Sequence, residues 1–177
     1  MSRPVRLILL ALLALLTFFV AACERDDEIP TSAAPATAYD VPFRSDAQLA
    51  TLLIGTCQRA RDAGRPMLIE FSAAWCSDCR RLHEMKQAPP LAEELEAWPK
   101  VVVNVGRFDR HRELLASLRV ESIAHWEVLA PTRCDAQILD WPSLARRTLE
   151  VSSGAARDLS PTDLAGWLAK LRSDYQS

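Results

Sequence analysis

The sequence lacks an apolar run long enough to cross a membrane as a helix, a second pair of closely spaced cysteines, and a positive stripe. Its longest uncharged apolar stretch, Leu7 to Val20, holds about 14 residues, whereas a spanning helix needs about 20. Basic residues are scattered, so we expect no nucleic-acid partner. A structural zinc site needs four ligands, and one closely spaced cysteine pair would supply only two of them. The three histidines are dispersed and do not supply the other two at a matching spacing, which argues against bound metal.

The first residues have the order of an export signal. Arg3 and Arg6 form a charged start, the apolar run follows, and the letters VAAC end it at positions 20–23. This ending resembles the cleavage box of bacterial lipoproteins. The resemblance implies that residues 1–22 are removed and that Cys23 is acylated as the mature N-terminus. An ordinary signal peptide with an incidental Cys23 is the alternative.

Residues 23–42 are predicted to be the lipidated N-terminus and a flexible tether. The acidic run ERDDE at 24–28 is followed by prolines among Ala, Thr and Ser, a composition that buries little apolar surface. An ordered arm packed on the domain is the alternative. The residue after Cys23 is not the aspartate that favours inner-membrane retention in enterobacterial lipoproteins, so an outer-membrane anchor facing the periplasm is favoured. Residues 43–177 then form one domain of common size.

The most informative motif is the pair Cys76 and Cys79, preceded by Trp75 and by the apolar run Met67–Phe71, which predicts a buried strand. Two cysteines separated by two residues at a strand-to-helix junction can close a disulfide within one helical turn. Cys76 would lie at the exposed helix N-terminus, where unpaired N–H groups and the macrodipole favour a thiolate. Thiol–disulfide exchange is therefore the predicted chemistry, with Cys76 attacking and the less exposed Cys79 resolving.

Apolar periodicity, breaking residues and capping residues predict the other elements. We expect helices at 46–63 (N-cap Asp46), 77–86, 91–98, from Asp109, at 143–151 and from Ser160, and strands at 67–71, 101–105, 123–129 and 137–139. Two β-α-β crossovers favour parallel neighbours, and the short turn after residue 129 favours an antiparallel hairpin. This order predicts an α/β domain whose mixed central sheet has helices on both faces.

The strand–WCxxC–helix unit and the later β-α-β-β-α order resemble the thioredoxin superfamily over about residues 45–173. The resemblance implies a thioredoxin-like three-layer sandwich and a redox-active Cys76–Cys79 disulfide that needs no cofactor. It also implies that Glu70, at the place of a buried acidic residue in that family, exchanges a proton with Cys79. Strand alternation that turns Glu70 to solvent is the alternative.

Trp75, Ile123 and Ala124 are the predicted substrate-binding residues. The superfamily carries a cis-proline before the third core strand, opposite the dithiol, and the hydrophobic match places Ala124 there; an alternative alignment uses Pro131. A cis bond before a residue other than proline costs about 2.5–4 kcal/mol, so we expect a trans Ile123–Ala124 peptide. Trp75 would shape the docking surface beside the dithiol or simply fill the core.

Five further residues have open roles. In an oxidising compartment Cys57 and Cys134 can pair, but their positions in the sequence do not decide whether they approach each other. His125 and Trp126 either shape the groove facing Cys76, or are one exposed and one core residue. His83, one helical turn after Cys79, would be solvated or tune its thiol.

Three functions follow from these features. The leading hypothesis is a monomeric, lipid-anchored thiol–disulfide oxidoreductase of the bacterial envelope, acting on exported proteins with disulfides or on another thiol carrier. Because a carboxylate at Asp78 disfavours the Cys76 thiolate, reductase or isomerase activity is favoured over disulfide donation. The second hypothesis is a binding or copper-handling module, which the scarcity of methionine weakens. The third is a structural lipoprotein with a static bridge.

Overall fold

The structure is a computed structural model that describes residues 39–135, 141–149 and 159–177. Its elements, in chain order, are α1 (Asp46–Asp62), β1 (Met67–Ser72), α2 (Ser77–Met85), α3 (Leu91–Glu96), β2 (Lys100–Asn104), α4 (Arg112–Ser117), β3 (His125–Leu129), β4 (Ser143–Thr148) and α5 (Pro161–Gln176). The predicted strand at 137–139 lies outside the described residues, as do the predicted signal and the lipidation residue Cys23. None of the described helices combines the length and the apolar character that crossing a membrane requires.

The sheet is mixed and has the strand order β2-β1-β3-β4. Strand β1 is parallel to β2 and antiparallel to β3, and β4 is antiparallel to β3. Every residue of β1 and β3 is buried, which requires cover on both faces of the sheet. The predicted mixed sheet with helices on both faces is therefore confirmed. The second predicted crossover, from β2 through α4 to β3, does not produce parallel neighbours. Strand β3 does not pair with β2 but lies antiparallel to β1.

The ends of the two longest helices follow local chemistry. The Ser45 side chain accepts the Gln48 N–H and the Gln48 side chain accepts the Ser45 N–H, which forms a capping box at α1. The sequence had indicated Asp46 as the N-cap of α1, but the N-cap is Ser45. At α5, the predicted cap is confirmed: Ser160 and Asp163 exchange the same pair of hydrogen bonds.

Two local predictions were wrong. Asp109 does not cap α4, because its carboxylate accepts the Arg107 N–H at 2.9 Å; this hydrogen bond is the main cause that lowers the pKa of Asp109. The stretch from Ser143 is strand β4 and not a helix. Its backbone pairs with β3, whose outer edge would otherwise lack hydrogen-bond partners.

Residues 39–44 form a short arm that contacts the domain ahead of α1. Val41 is buried, and its carbonyl accepts a hydrogen bond from the Asn104 side chain at 2.6 Å. The Arg44 guanidinium donates to the Val102 carbonyl at 3.1 Å. The last residues of the segment that the sequence assigned to the tether therefore contact β2.

Candidate redox site

The CxxC motif lies where β1 passes into α2. Cys76 is the N-cap of α2, and its Sγ accepts the Cys79 N–H at 3.1 Å. The two cysteines form a disulfide with a Cα–Cα distance of 5.2 Å. The sulfur of Cys76 is thus held at the positive end of a helix dipole, which favours a thiolate when the bond opens.

The two cysteines differ in access to solvent. Cys79 is fully buried, whereas Cys76 retains 5% of its surface, and its neighbours Trp75 and Ser77 are exposed. The sequence led us to expect a more open Cys76. Its Sγ is directed toward the first turn of α2, where it is bonded to Cys79 and accepts the Cys79 N–H. Of the two cysteines, only Cys76 retains exposed surface, so an incoming sulfur meets Cys76 first.

Trp75 directly precedes Cys76 in the chain and lies at the surface. Its residue surface is 49% exposed, so it does not fill the core. Its indole N–H donates to the Gly106 carbonyl at 2.6 Å, and the Gly106 N–H donates to the Asn104 side chain at 2.9 Å. Gly106 has a φ of 60°, and a Cβ there would collide with the carboxylate of Asp109. The loop after β2 thereby fixes the orientation of an exposed aromatic ring.

Ile123 and Ala124 lie at the same end of the sheet as the CxxC motif. His125, the next residue, pairs with Phe71 near the end of β1 that leads into the motif. The Ile123–Ala124 peptide is cis, so the expected trans peptide is wrong. The backbone there is held by tertiary contacts: Ala124 is fully buried, and its carbonyl accepts the Leu149 N–H at 2.7 Å.

Glu70 is buried on the face of the sheet that α2 covers. Only 4% of its surface is exposed, which excludes the solvent-facing alternative. Lys86, the C-cap of α2, donates to both carboxylate oxygens at 2.8 and 2.6 Å. Trp126, which is directly opposite Glu70 in the β1–β3 register, donates its indole N–H to Oε2 at 3.2 Å. A buried carboxylate requires such partners.

The sequence reading missed Lys86, although a signal for it was present. Lys86 follows Cys79 by seven residues, which is two helical turns and therefore the same helix face. A lysine on the face that covers an acidic strand residue could have been paired with Glu70 before the structure was known.

Tyr39 of the arm approaches the same carboxylate. Its hydroxyl lies 2.5 Å from the Ser72 Oγ, and its ring centroid lies 4.8 Å from that of His83. Burial chiefly, together with the charge of Glu70, raises the pKa of Tyr39 to about 12. Tyr39 therefore keeps its proton throughout the physiological range. His83 is half-buried against Tyr39, so it is not the fully solvated side chain that was one alternative.

A second polar cluster lies on the neighbouring strands β3 and β4. Both His125 and Trp126 are buried, which rules out the alternative of one exposed and one core residue. The His125 ring contacts Glu127 at 3.2 Å and Thr148 at 3.1 Å, and Glu127 also accepts a short hydrogen bond from Ser143. Successive strand residues face opposite ways, which separates this cluster from Trp126 and Glu70.

The remaining two cysteines of the described domain are paired. A disulfide joins Cys57 of α1 to Cys134, which follows β3, with a Cα–Cα distance of 5.5 Å. Cys57 is fully buried and Cys134 is half-buried. Of the two open alternatives, the structure contains the disulfide.

Among known proteins, the chain is similar to several solved structures. A disulphide isomerase from Xylella fastidiosa Temecula1 is 22% identical with a TM-score of 0.56, and the match covers 76% of this chain and 98% of that chain. A thioredoxin from Thermus thermophilus is 18% identical with a TM-score of 0.50, over 66% of this chain and 81% of that chain. No family model and no curated protein matches the chain.

At these identities, the similarity establishes the fold alone. The chain has an α/β thioredoxin-like fold, with a mixed four-stranded sheet and flanking helices. Within that fold it carries a Cys76–Cys79 pair with Trp75 beside it. This combination is consistent with a thiol–disulfide oxidoreductase.

Proposed function

We propose that this chain is a membrane-anchored thiol–disulfide oxidoreductase of the bacterial envelope. It would reduce or rearrange disulfides in exported proteins, or pass electrons to another thiol carrier. The observation that carries the proposal is the disulfide across the N-cap of α2, in which only Cys76 retains surface. The envelope location and the anchor rest on the predicted signal and on Cys23, and the preference for reduction rests on Asp78 beside Cys76.

The exchange proceeds in two steps that conserve electrons and protons. In the first, the Cys76 thiolate attacks a client disulfide, a Cys76–client bond forms, and one client thiolate leaves and takes a proton from water. In the second, Glu70 accepts the Cys79 proton, and the Cys79 thiolate attacks the Cys76 sulfur. The Cys76–Cys79 bond forms, and the second client sulfur leaves as a thiolate that is then protonated. The client gains two electrons and the dithiol loses two.

The client chain would be held between Trp75 and the Ile123–Ala124 segment. Trp75 offers an exposed ring whose orientation is fixed by Gly106, and the Ile123–Ala124 backbone lies at the same end of the sheet. An aromatic ring gives apolar contact to any extended peptide without requiring one particular sequence. This arrangement suits a protein that acts on many disulfides.

The test is insulin-disulfide reduction by the purified chain and by its Cys76→Ser variant. The variant should fall to the rate of the uncatalysed reaction, because the attacking sulfur is gone. The matched control is a variant with Cys57 and Cys134 both changed to alanine, which should keep its activity. Undiminished turnover in Cys76→Ser would reject the proposal, and stoichiometric Cu(I) retention without reductase activity would favour a binding module instead.

A further inference from the structure

The two most exposed large apolar side chains of the described residues lie on one continuous surface. Phe43 is 67% exposed and Trp75 is 49% exposed. The Trp75 indole is bound to the Gly106 carbonyl, and a Cβ at Gly106 would lie 3.1 Å from Cγ and Cδ of Arg110. The Arg110 guanidinium lies over the Phe43 ring, 4.3 Å from the ring centroid. Contacts therefore run from Trp75 through Gly106 and Arg110 to Phe43.

A second guanidinium group is held next to Trp75 by α2. Arg80 donates to the Ala74 carbonyl at 2.9 Å, and Ala74 directly precedes Trp75. Arg80 is exposed, and a guanidinium has five N–H donors, so it has further donors to offer a partner. We name the following five residues the aromatic–arginine surface: Phe43, Trp75, Arg80, Gly106 and Arg110.

The aromatic–arginine surface carries two positive charges, whereas the whole chain has a formal net charge of −2 at pH 7. The two aspartates close to it each lie beside positive charge. Asp109 interacts with the charges of both Arg110 and Arg112. Asp78 lies in the first turn of α2, where the helix dipole is positive. A positive surface on a negative chain attracts acidic partners and repels basic ones.

The position of Cys76 decides which molecule occupies the surface. Trp75 directly precedes the attacking cysteine, so the molecule that covers Trp75 during exchange is the one whose disulfide reacts. That molecule is the client polypeptide. A client carboxylate can bind a guanidinium through two parallel hydrogen bonds, and the aromatic rings can pack against the apolar atoms of the client. The surface therefore fits a client segment with acidic residues beside its cysteine.

We propose that the aromatic–arginine surface selects client disulfides whose cysteine is flanked by acidic residues. Arg80 and Arg110 are the specificity-determining residues, and the Phe43 ring holds the Arg110 guanidinium in place. The selection is one of charge and not of a particular sequence. It acts on the first step, in which the Cys76 thiolate attacks the client sulfur, the Cys76–client bond forms and the other client thiolate leaves. The inference rests on the proposed function and names its substrate class.

The experiment compares three peptides that differ only in the residues flanking one cysteine, which are Glu, Gln or Lys. Each cysteine is joined to an aryl thiol, whose coloured release reports the attack by Cys76. The protein is the reduced Cys79→Ser variant, so that only the first step occurs. Each rate is divided by that of the same peptide with 2-mercaptoethanol, which removes differences in the reactivity of the peptides themselves.

The Glu peptide should react about tenfold faster than the Lys peptide at low salt, with the Gln peptide between them. In 1 M salt the ratio should fall to about twofold, because the Debye length is then about 3 Å. The ratio does not depend on the reactivity of the Cys76 thiolate, since the same thiolate attacks all three peptides. A change in the ratio therefore reports recognition of the client alone.

Substitutions at the surface should lower the ratio in the Cys79→Ser background. Arg80→Gln and Arg110→Gln should each lower it about threefold, and the two together should bring it close to one. Phe43→Leu removes the ring under Arg110 and should act like Arg110→Gln, whereas Phe43→Tyr keeps the ring and the ratio. The matched control is Arg61→Gln, which removes an exposed arginine from the last turn of α1 and should leave the ratio unchanged.

Equal normalised rates for the three peptides would overturn the inference, as would a ratio that the combined Arg80→Gln and Arg110→Gln substitutions do not change. Vesicles of phosphatidylglycerol test the competing occupant, an anionic membrane surface. If the combined substitutions weaken vesicle binding and leave the peptide ratio unchanged, the surface faces the membrane and the inference is wrong. In each of these cases the unmodified chain still reduces insulin, whereas failure of the proposed function would abolish both insulin reduction and the reaction with every peptide.

Discussion

The two cysteine pairs of the described domain have nearly the same local geometry and different origins. Their Cα–Cα distances are 5.2 Å for Cys76–Cys79 and 5.5 Å for Cys57–Cys134, but their sequence separations are 3 and 77 residues. The first pair is closed by one turn of α2. The second pair is closed only after α1 and the segment that follows β3 have come together. The first therefore needs one helix, and the second needs the folded domain.

This difference separates a pair suited to exchange from a pair suited to stabilisation. Opening the Cys76–Cys79 bond frees few chain conformations, because the loop is short. Opening the Cys57–Cys134 bond frees a loop of 77 residues in the unfolded chain. The free energy needed to open the Cys57–Cys134 disulfide is thus coupled to the stability of the fold. For the Cys76–Cys79 disulfide, the free energy of opening is nearly independent of that stability.

The largest expected effect is a complete loss of turnover when Cys79 is replaced by serine. Cys76 can still attack, but nothing resolves the mixed disulfide, so the Cys76–client species should accumulate. Non-reducing electrophoresis of the variant after incubation with insulin measures this product. Multiple turnovers by Cys79→Ser would contradict the division of roles between the two sulfurs.

Removing the other pair should change stability and leave turnover intact. The variant with Cys57 and Cys134 both changed to alanine should lose about 4 kcal/mol of unfolding free energy, because its unfolded chain gains the entropy of the open loop. Urea unfolding of the oxidised chain and of this variant measures the difference. A loss below about 1 kcal/mol would show that the pair does not stabilise the fold through loop closure.

High pH should destabilise the part of the fold that holds the Cys76–Cys79 pair, because Tyr39 ionises there. Because the pKa of Tyr39 is raised to about 12, its contribution is fully present below pH 10 and is lost as the pH rises toward about 12. Because Tyr39 is partly exposed and solvent screens its charge, the loss should amount to only about 1 kcal/mol of unfolding free energy. Tyr39→Phe should abolish this part of the alkaline loss. The matched control is Tyr175→Phe, since Tyr175 is exposed near the end of α5; an equal effect of both variants would contradict the assignment.

The smallest expected effect concerns a helix end that belongs to neither pair. Ser160→Ala removes the side-chain acceptor that caps α5 and should lower the unfolding free energy by about 1 kcal/mol. Insulin reduction and the Cys57–Cys134 bond should not change. Asparagine at the same position is the control, since it also caps helices and should restore the stability. A lowered turnover in Ser160→Ala would show that α5 is coupled to the dithiol.

Features that depend on neighbours in sequence could be predicted from the sequence. The strand at Met67–Phe71, the start of α2 at the CxxC motif and the capping box at Ser160 each depend on residues within one turn or one strand. The identity of Ser143–Thr148 could not be predicted in this way. The apolar residues of this stretch follow neither the helical period of 3.6 nor the strand period of 2 well. It forms a strand because β3 has a free edge with which its backbone can pair.

The sequence by itself determined where a reactive dithiol lies, because two cysteines one turn apart at a helix start need no distant partner. Only the tertiary structure decided that Lys86 and Trp126 bind Glu70, that Cys57 meets Cys134, and that the Ile123–Ala124 peptide is cis. Each of these features depends on segments that are far apart in the chain and that lie together only once the sheet has formed. Local preferences carry no information about such distances.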